Sequence, residues 1–441
     1  MSEWKETDFG RIPINWELKP IIELKSFDKR AIAMGPFGSD IKAENFIDEG
    51  VPVIRGTNFN YDKYIDGDFV FLTDNKADEL IGSNCKPNDI VFTHRGTIGQ
   101  VALIPKNSYK RYVISQSGMK LTVNNTLINY EFLFYFFKSK YGQFQILKYE
   151  SQVGVPSISN PLTSLKEIEV PVPPLPVQKA IAEVLSSLDD KIDLLHRQNK
   201  TLEQMAETLF RQWFVPARAG EPHAGGEEAK EDWEKTKVKD FDVIVTDYVA
   251  NGSFASLAEN VNYKSEPDYA ILIRLTDYNH SFNNDFVYVD KRAYDFLEKS
   301  KLQGGEIIIS NVGAYSGTVF KCPKLNRPMT LGPNSIVLKS EFNNYFFLLF
   351  RSTYGKFILD GIISGSAQPK FNKTAFRNIY LQYPSIEYIS KFEKTVKPYF
   401  EKIDFNSIQI RTLEKTRDTL LPKLMSGEVR VCKGSPCGYP I

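Results

Sequence analysis

Two polar loops carry the residue types best suited to chemistry in this chain of 441 residues. They are loop 93–100, with the sequence THRGTIGQ, and loop 310–317, with the sequence SNVGAYSG. Arginine, asparagine, glutamine, serine and threonine side chains are the ones that hydrogen-bond base edges in the major groove of DNA. The loops therefore predict recognition of nucleic-acid bases. Ordinary turn structure is the alternative, because turns favour several of the same residue types.

A second pair of loops, 115–118 (SQSG) and 332–335 (GPNS), has the same polar character. Lysines and arginines near the loops are suited to phosphates, which position a duplex without specifying its sequence. The candidate DNA-binding residues are Arg55, Thr57, Asn58, His94, Arg95, Thr97, Lys110, Arg111, Gln116, Ser117, Arg274, Thr276, Asp277, Asn311, Tyr315, Ser316, Arg327, Asn334, Ser335 and Lys370.

Positive charge is concentrated in two windows of the chain. Residues 86–148 contain nine Lys and Arg against two Asp and Glu, and residues 301–380 contain ten against three. The net charge of +1 argues against a uniformly basic nucleic-acid binder. The duplicated windows instead indicate two separate surfaces for an anionic partner such as double-stranded DNA. A solvated basic face without a function is the alternative for each window.

Motifs for catalysis are absent from the sequence. It contains no G-x-x-x-x-G-K-[ST] loop for a nucleotide phosphate and no Asn-Pro-Pro-aromatic or Asp-Pro-Pro-Tyr motif for methylation of a flipped base. Pro267-Asp268 could open a nuclease motif, but no Asp/Glu-x-Lys follows before Ser340. The four cysteines and four histidines show no metal-ligand spacing. We therefore predict no catalytic residue, no metal site and no cofactor in this chain.

One long helix, predicted over 173–215, is the main element that must position these loops. Its apolar residues step by alternating spacings of four and three, the period of a coiled-coil seam. Adding 211 to each number gives a second helix, predicted over 384–428. At about 1.5 Å per residue, each helix would be roughly 60 Å long. The central seam residues are Leu188, Ile192, Leu195, Asn199, Leu202, Ile403, Asn406, Ile410 and Leu413.

The rest of the chain is repeated as well. For example, residues 35–39 (GPFGS) match residues 252–256 (GSFAS), and each copy has short β-rich runs. The predicted organisation is a first domain at 1–172, the first helix, a mobile linker at 216–232, a second domain at 233–383, the second helix and a C-terminal tail at 429–441. Both domains are predicted to be mixed α/β, with a helix over 130–147 in the first, so the fold class is α+β.

The order domain, helix, domain, helix requires the two long helices to run antiparallel. The expected result is a pseudo-two-fold dumbbell. A register in which partner numbers add up to 605 pairs Asn199 with Asn406 and Trp213 with Phe392. A buried asparagine pair is a known device for fixing the register of a coiled coil.

Two residues disturb the predicted seam. Arg417 falls opposite Leu188, from where its guanidinium must extend out of the apolar interface. Pro398 is expected to kink the second helix or to start it afresh.

The compartment is predicted from what the chain lacks. The N-terminal residues MSEWKETDFG lack the basic start and apolar stretch of a signal peptide, and apolar clusters such as Tyr345–Phe350 are too short to span a bilayer. The scattered cysteines indicate a reducing environment. We expect a cytoplasmic protein without a membrane partner.

These segments resemble the DNA-specificity (S) subunit of type I restriction-modification systems over nearly the whole chain. The resemblance is carried by GPFGSDI, PVIRGTN and PNDIVFTHRGTIG in the first domain, by GVPSISNPLTSLKEIEVPVPPLPVQKAIAEVLSSLDDKID, which leads into the first helix, and by LEKTRDTLLPKLMSGEV, which closes the second. It implies two target-recognition domains with helical spacers that read a bipartite, asymmetric DNA target.

The resemblance also implies partners. The subunit itself would be non-catalytic and would bind two modification subunits, which carry adenine methylation, and through them restriction subunits. S-adenosylmethionine, ATP and magnesium are expected only in those partner subunits. Phe210, Phe214 and Leu421 are candidate docking residues, or else they pack on the adjoining domains. Two other classes of protein remain open, an autonomous restriction or modification enzyme and a coiled-coil adaptor that does not bind DNA.

Overall fold

The computed structural model of the chain describes residues 4–38, 40–59, 63–151, 154–214, 233–283, 286–365, 367–432 and 435–437. The chain divides into two compact units. The first unit is Met1–Leu194 with Thr412–Ile441, and the second unit is Leu195–Arg411. The predicted linker at 216–232 lies outside the described residues, and so does part of the predicted tail.

Short strands dominate the first unit. Its strands are β1 (Trp4–Thr7), β2 (Gly10–Pro13), β3 (Glu17–Pro20), β4 (Ile32–Met34), β5 (Val51–Ile54), β6 (Val70–Leu72), β7 (Asn84–Cys85), β8 (Ile90–Thr93), β9 (Val101–Leu103), β10 (Tyr112–Ile114), β11 (Gly118–Leu121), β12 (Glu150–Ser151), β13 (Ser157–Ile158) and β14 (Glu169–Val172). Its helices are α1 (Ile21–Leu24), α2 (Asp74–Glu79), α3 (Tyr130–Lys138), α4 (Lys140–Leu147), α5 (Pro161–Glu167) and the first half of α6 (Leu175–Phe214).

The second unit has corresponding elements. Its strands are β15 (Glu234–Lys237), β16 (Ile244–Asp247), β17 (Ala270–Ile273), β18 (Val287–Val289), β19 (Lys301–Leu302), β20 (Ile307–Ser310), β21 (Val319–Lys321), β22 (Met329–Leu331), β23 (Ser335–Lys339) and β24 (Tyr380–Tyr383). Its helices are α7 (Phe254–Asn260), α8 (Leu275–Asn279), α9 (Lys291–Phe296), α10 (Asn343–Arg351), α11 (Thr353–Asp360), α12 (Lys373–Arg377) and the first part of α13 (Ile386–Met425). A hairpin of β25 (Arg430–Cys432) and β26 (Ser435–Cys437) follows α13.

Sheet topology shows that the two domains are copies of one another. In the first, the four-stranded sheets have the orders β6-β5-β10-β7 and β4-β11-β8-β9, and in the second they have the orders β18-β17-β22-β19 and β16-β23-β20-β21. Strand β5 pairs parallel to β10, and its counterpart β17 pairs parallel to β22. The mixed α/β character and the internal repeat predicted from the sequence are therefore confirmed.

An aromatic helix forms the centre of each core. Helix α3, with the sequence YEFLFYFFK, buries every residue from Phe132 to Phe137, and α10, with the sequence NNYFFLLFR, buries every residue from Asn344 to Phe350. A helix that is apolar on all sides must be enclosed by other elements. Residues of both long helices help to enclose them, including Leu185 and Leu424 in the first unit and Phe210 and Phe392 in the second.

The helix predicted over 130–147 is in fact two helices, α3 and α4, which meet at Ser139. The Ser139 hydroxyl accepts a hydrogen bond from the Gly142 amide at 3.1 Å and so caps α4. Gly142 lies so close to the end of α3 that a Cβ atom there would come within 2.1 Å of a backbone oxygen. The same break recurs at Ser352 and Gly355 in the second unit. The apolar pattern continues through the break, so periodicity could not reveal it.

The long helices α6 and α13 run antiparallel within each unit. In the second unit, Asn406 Nδ2 donates a hydrogen bond to Asn199 Oδ1 at 2.9 Å, and the ring centroids of Trp213 and Phe392 are 5.5 Å apart. Both pairs are those that the predicted register requires. The register is therefore confirmed in the second unit.

Arg417 leaves the apolar seam in the first unit, as predicted. Its Nη1 atom donates to Asp189 Oδ1 at 2.9 Å, and the Tyr135 hydroxyl donates to the other oxygen of the same carboxylate at 2.7 Å. The cation is therefore paired with a carboxylate of α6 at the margin of the helix interface, and the Tyr135 hydroxyl of α3 holds that carboxylate in place.

The expectation that Pro398 starts the second helix afresh is wrong. Helix α13 continues from Ile386 to Met425 without interruption. Pro398 is exposed, whereas Val396 and Phe400 on either side of it are buried in the core of the second unit. Packing of these neighbours holds the helix together in spite of the missing backbone donor.

The asparagine pair gives a test of the helix interface. Asn199→Leu leaves the fully buried Asn406 amide facing an apolar partner, and we expect a loss of about 1–3 kcal/mol in the free energy of unfolding, because a buried polar group loses its nearest acceptor. Asn199→Leu combined with Asn406→Leu removes both polar groups and should restore at least the stability of the unmodified chain. Calorimetric unfolding midpoints measure both effects, with Gln204→Leu on the exposed side of α6 as the control. If the single asparagine variant is as stable as the Gln204→Leu control, the Asn199–Asn406 pairing is contradicted.

Candidate nucleic-acid interface

In the first domain, backbone hydrogen bonds join the predicted loops at one end of the two sheets. The His94 amide, in the loop after β8, donates to the Ser117 carbonyl, in the loop between β10 and β11, at 2.9 Å. The Gly96 amide donates to the Pro156 carbonyl at 2.9 Å, and the Ser115 amide donates to the last carbonyl of β5 at 2.9 Å. Four separate segments of the chain therefore meet at this end.

The second domain has the same three connections. The Asn311 amide, after β20, donates to the Asn334 carbonyl, between β22 and β23, at 3.0 Å. The Gly313 amide donates to the Pro369 carbonyl at 2.8 Å, and the Gly332 amide donates to the last carbonyl of β17 at 2.8 Å. The backbone framework of the loops is therefore conserved between the two domains, whatever side chains it carries.

The predicted residues differ in how accessible they are. Exposed residues are Thr57, Arg95, Thr97, Lys110 and Gln116 in the first domain and Thr276, Tyr315, Arg327, Asn334 and Lys370 in the second. Half-buried residues are Arg55, Arg111, Ser117, Arg274, Asn311 and Ser316. Buried residues are Asn58, His94, Asp277 and Ser335.

Asn58 and Asp277 stabilise the turns that follow β5 and β17. Asn58 Oδ1 accepts a hydrogen bond from the Arg55 amide at 2.9 Å, and Asn58 Nδ2 donates to two backbone carbonyls. Asp277 accepts from the Arg274 amide at 2.7 Å and from its guanidinium at 2.6 Å. Because both side chains are buried, neither can touch DNA in this structure. Their role is to hold Arg55 and Arg274 in place, which corrects the direct contact predicted from the sequence.

His94 and Ser335 are also enclosed by the protein. Burial lowers the pKa of His94, so its ring is uncharged at neutral pH and is unsuited to neutralising a phosphate. His94 Nε2 has no hydrogen-bond partner within the part of the chain that the structure describes. Ser335 begins β23 and pairs with Ser310 of β20. Both residues therefore support the loops rather than face outward from them.

Three of the predicted basic residues lie away from the loops. Lys110 and Arg111 precede β10, and Arg327 precedes β22, whereas the loops follow these strands. The guanidinium of Arg111 is paired with Asp74 and Asp78 of α2. A strand rises about 3.3 Å per residue, so these residues are separated from the loops by the length of a strand. The structure thus does not bring them together with the other candidates.

Some of the lysines in each basic window are held by contacts within the protein and are not available to a partner. The amino group of Lys120 lies 4.0 Å from Asp89 Oδ2 and is buried with it. The amino group of Lys321 donates to the Asn344 side-chain oxygen and lies 3.9 Å from the centroid of the Phe400 ring. Burial lowers the pKa of Lys321 to about 8. The charge counts from the sequence therefore overstate the positive charge available to a partner.

Sequence reasoning missed Lys63, which connects the first domain to α6 within the first unit. Its amino group contacts Glu131 Oε1 of α3 at 2.8 Å and donates to the Ser186 hydroxyl of α6 at 2.9 Å. Burial alone would lower the pKa of Lys63, but the neighbouring Glu131 carboxylate raises it above its ordinary value. Lys63 lies in an acidic part of the sequence, so no charge pattern marked it.

The helix-end residues proposed for docking are not available. Phe210 and Phe214 are buried in the core of the second unit, and Leu421 is buried in the core of the first. Of the two explanations drawn from the sequence, packing on the adjoining domain is therefore the correct one.

Metal and thiol chemistry finds no support in the described part of the chain. No group of three or more His, Cys, Asp and Glu residues there could hold a metal ion. Cys85 and Cys322 are buried free thiols, and burial raises the pKa of both, so neither is a reactive thiolate. Among the same residues, no helix combines the length and apolar character needed to cross a membrane.

Comparison with known proteins shows which family this architecture resembles. Two related mixed α/β domains, each with polar loops at one end of its sheets and each followed by a long helix, define a duplicated target-recognition architecture. Residues 37–204 match the family model described as the type I restriction modification DNA specificity domain. Over these residues the chain is similar to the DNA-specificity domain of type I restriction-modification systems.

Individual relatives agree with this similarity. The MjaIX specificity subunit of Methanocaldococcus jannaschii is 27% identical over 98% of this chain and 97% of its own length. The HindI specificity subunit of Haemophilus influenzae is 25% identical over 78% of this chain and 87% of its own length. The crystal structure of the S subunit from M. genitalium has a TM-score of 0.59 at 20% identity, covers 93% of this chain and 96% of its own, and shares the fold.

Lys321 provides a test of the buried part of the basic window. Its pKa falls from an ordinary 10.5 to about 8, so between these values the unfolded chain binds more protons than the folded one, and stability contributed by this site rises with pH. The charged form costs up to roughly 3 kcal/mol below pH 8. We expect the difference in unfolding midpoint between the unmodified chain and Lys321→Met to move in favour of the unmodified chain from pH 7 to pH 9.5. Lys324→Met controls for the loss of a nearby positive charge, and an equal pH dependence in both variants would contradict the burial of Lys321.

Proposed function

We propose that this chain is the subunit that reads a bipartite, asymmetric DNA target, with one recognition domain for each half-site. The observation that carries the proposal is that the loop frameworks are equivalent while their side chains differ. Arg95 in the first domain corresponds to Val312 in the second, and Gln116 corresponds to Pro333. Because base edges are distinguished by hydrogen-bond patterns and apolar contacts, different side chains on one framework favour different bases.

The contacts to DNA are divided between two kinds of residue. Arg95 and Gln116 in the first domain, and Asn334 in the second, are exposed on the loops and are suited to base edges. Lys370, which lies beside Pro369 in the second domain, is exposed and suited to a phosphate. Phosphate contacts set the position of a domain on the duplex, and the loop residues supply the specificity.

The catalytic steps belong to partner subunits in this proposal. Two modification subunits carry adenine methylation with S-adenosylmethionine, and restriction subunits use ATP and magnesium. Leu194 of α6 and Phe405 of α13 are 42% and 54% exposed and correspond at the offset of 211 that relates the helices. Equivalent exposed apolar residues on the two helices suit two copies of one partner. We infer that these residues, rather than the helix ends, contribute to docking.

Methylation mapping tests the proposed function. The chain is co-expressed with its modification subunits, and methylated adenines are located across the host genome by single-molecule sequencing. We expect methylation at one bipartite, asymmetric motif. Replacing residues 233–380 with the corresponding domain of a relative should change one half of the motif and leave the other half intact. A stable complex that methylates at no defined motif would favour the coiled-coil adaptor, and methylation or cleavage by the chain alone would favour an autonomous enzyme.

Arg95 and Arg111 form a matched pair for testing individual contacts. Arg95→Ala is expected to weaken specific binding by about 1–3 kcal/mol and to relax the preference at one position of the first half-site, because a bidentate base contact is lost. Arg111→Ala removes the ion pairs to α2 and should leave the motif unchanged. The two arginine variants are compared by competition binding with single-base variants of the motif, using the complex with the modification subunits. Relaxation in the second half-site would contradict the assignment of Arg95 to the first.

A further inference from the structure

Two exposed phenylalanines lie beside the loops of the two domains. Phe37 is 79% exposed and Phe254 is 83% exposed, and they occupy matched positions in GPFGS and GSFAS. Resting on the proposed function, we propose that each ring is an apolar wedge that inserts against base pairs of its own half-site and unstacks a base step. These residues add to the specificity that the polar loop residues supply.

In the first domain, glycines bring the backbone around Phe37 against the loop between β10 and β11. The Gly35 amide donates to the first carbonyl of β11 at 3.0 Å. A Cβ atom at position 35 would lie 1.8 Å from the Ser115 carbonyl oxygen, and one at Gly38 would lie 2.7 Å from Gln116 Oε1. At position 35 only glycine permits this approach, because the neighbour is backbone, whereas the contact at position 38 is with the flexible end of the Gln116 side chain. Phe37 lies between the two contacts and extends into solvent next to Gln116, a candidate for base contact.

In the second domain, Phe254 lies at a pocket of about 470 Å³ that is formed partly by the recognition loops. Asn311 and Asn334, one from each loop, line this pocket together with Tyr248 and Tyr263, whose hydroxyl oxygens are 3.1 Å apart. The first residue of α7 therefore presents its ring next to the two polar loop residues. The pocket leaves space beside the ring for a base edge displaced from its stack.

Exposure alone does not identify a binding residue, because Phe27 is 91% exposed as well. Phe27 precedes β4, whereas Phe37 follows it, so the two rings lie at opposite ends of the strand. Two features distinguish Phe37 and Phe254. They occur in matching sequence segments that follow β4 and β16, although Phe37 lies three residues after its strand and Phe254 seven residues after its own. Both also lie beside polar loops within the region predicted to face DNA. Aromatic rings in such a setting stack on bases, since every base has an apolar face.

The chemistry of the ring defines how it acts. Phenylalanine has no hydrogen-bonding group and cannot read a pattern of donors and acceptors. An inserted ring separates neighbouring base pairs, and the energy needed depends on the step, with flexible pyrimidine–purine steps deforming most easily. The wedges therefore select for deformability at one step in each half-site, in addition to the bases read by the loops.

The experiment uses the complex with the modification subunits and duplexes that contain its methylation motif. 2-Aminopurine is placed at successive positions of each half-site, and its fluorescence reports unstacking on binding. We expect an increase at one step in each half-site. Phe37→Ala should abolish the increase in the first half-site alone and weaken binding about 5- to 100-fold, and Phe254→Ala should do the same in the second. Phe37→Leu, which keeps an apolar side chain, should retain part of the signal.

Matched controls come from exposed apolar residues at the far ends of the equivalent strands. Phe27→Ala controls for Phe37→Ala, and Ile244→Ala, at the start of β16 and 63% exposed, controls for Phe254→Ala. Fluorescence changes that persist in the alanine variants, or binding no weaker than in the controls, would overturn the wedge. The unmodified complex distinguishes a failure of the proposed function from a failure of the wedge. If the proposed function is wrong, no bipartite methylation motif is found. If only the wedge is wrong, the motif is still found.

Discussion

Packing of the two long helices into the domain cores is the interaction on which the rest of the structure depends. Leu185 and Leu424 complete the core of the first unit, and Phe210 and Phe392 complete that of the second. Polar contacts reinforce the packing, such as the Lys63 contact with α6. Each domain is thereby fixed to the helix segments of its own unit by contacts far from its loops. The exposed loop side chains do not have to stabilise the fold, so they can differ between two domains that share one backbone framework.

The sequence was sufficient to predict the large elements, because these depend on periodicity and on comparison of one half of the chain with the other. Alternating spacings of four and three identified both long helices, and the position of Asn199 and Asn406 in the seam identified their register. Periodicity did not detect the break at Ser139, because the break depends on a cap and a close backbone approach. Nor did it show that α13 passes through Pro398, since the packing of neighbouring buried residues decides this.

The candidate site was predictable in its location but not in the role of each residue. The loops were identified by composition, yet composition is the same for a residue that reads a base and one that caps a turn. Asn58 and Asp277 have the right chemistry for DNA and use it on the backbone. Charge counts likewise could not separate Arg95, which is exposed, from Lys321, whose amino group lies against aromatic rings. Such distinctions require the three-dimensional neighbours of each side chain.

The first unit is built from two separate stretches of the chain, and this affects the order in which the units can fold during synthesis. This unit consists of Met1–Leu194 together with Thr412–Ile441, whereas the second is one continuous stretch. During synthesis, the core around Leu185 therefore lacks Leu421 and Leu424 until the ribosome has translated the whole second unit. The apolar face of α6 that these residues cover is exposed during that time, which is the condition under which nascent chains aggregate or engage chaperones. The second unit can finish folding before the first one does.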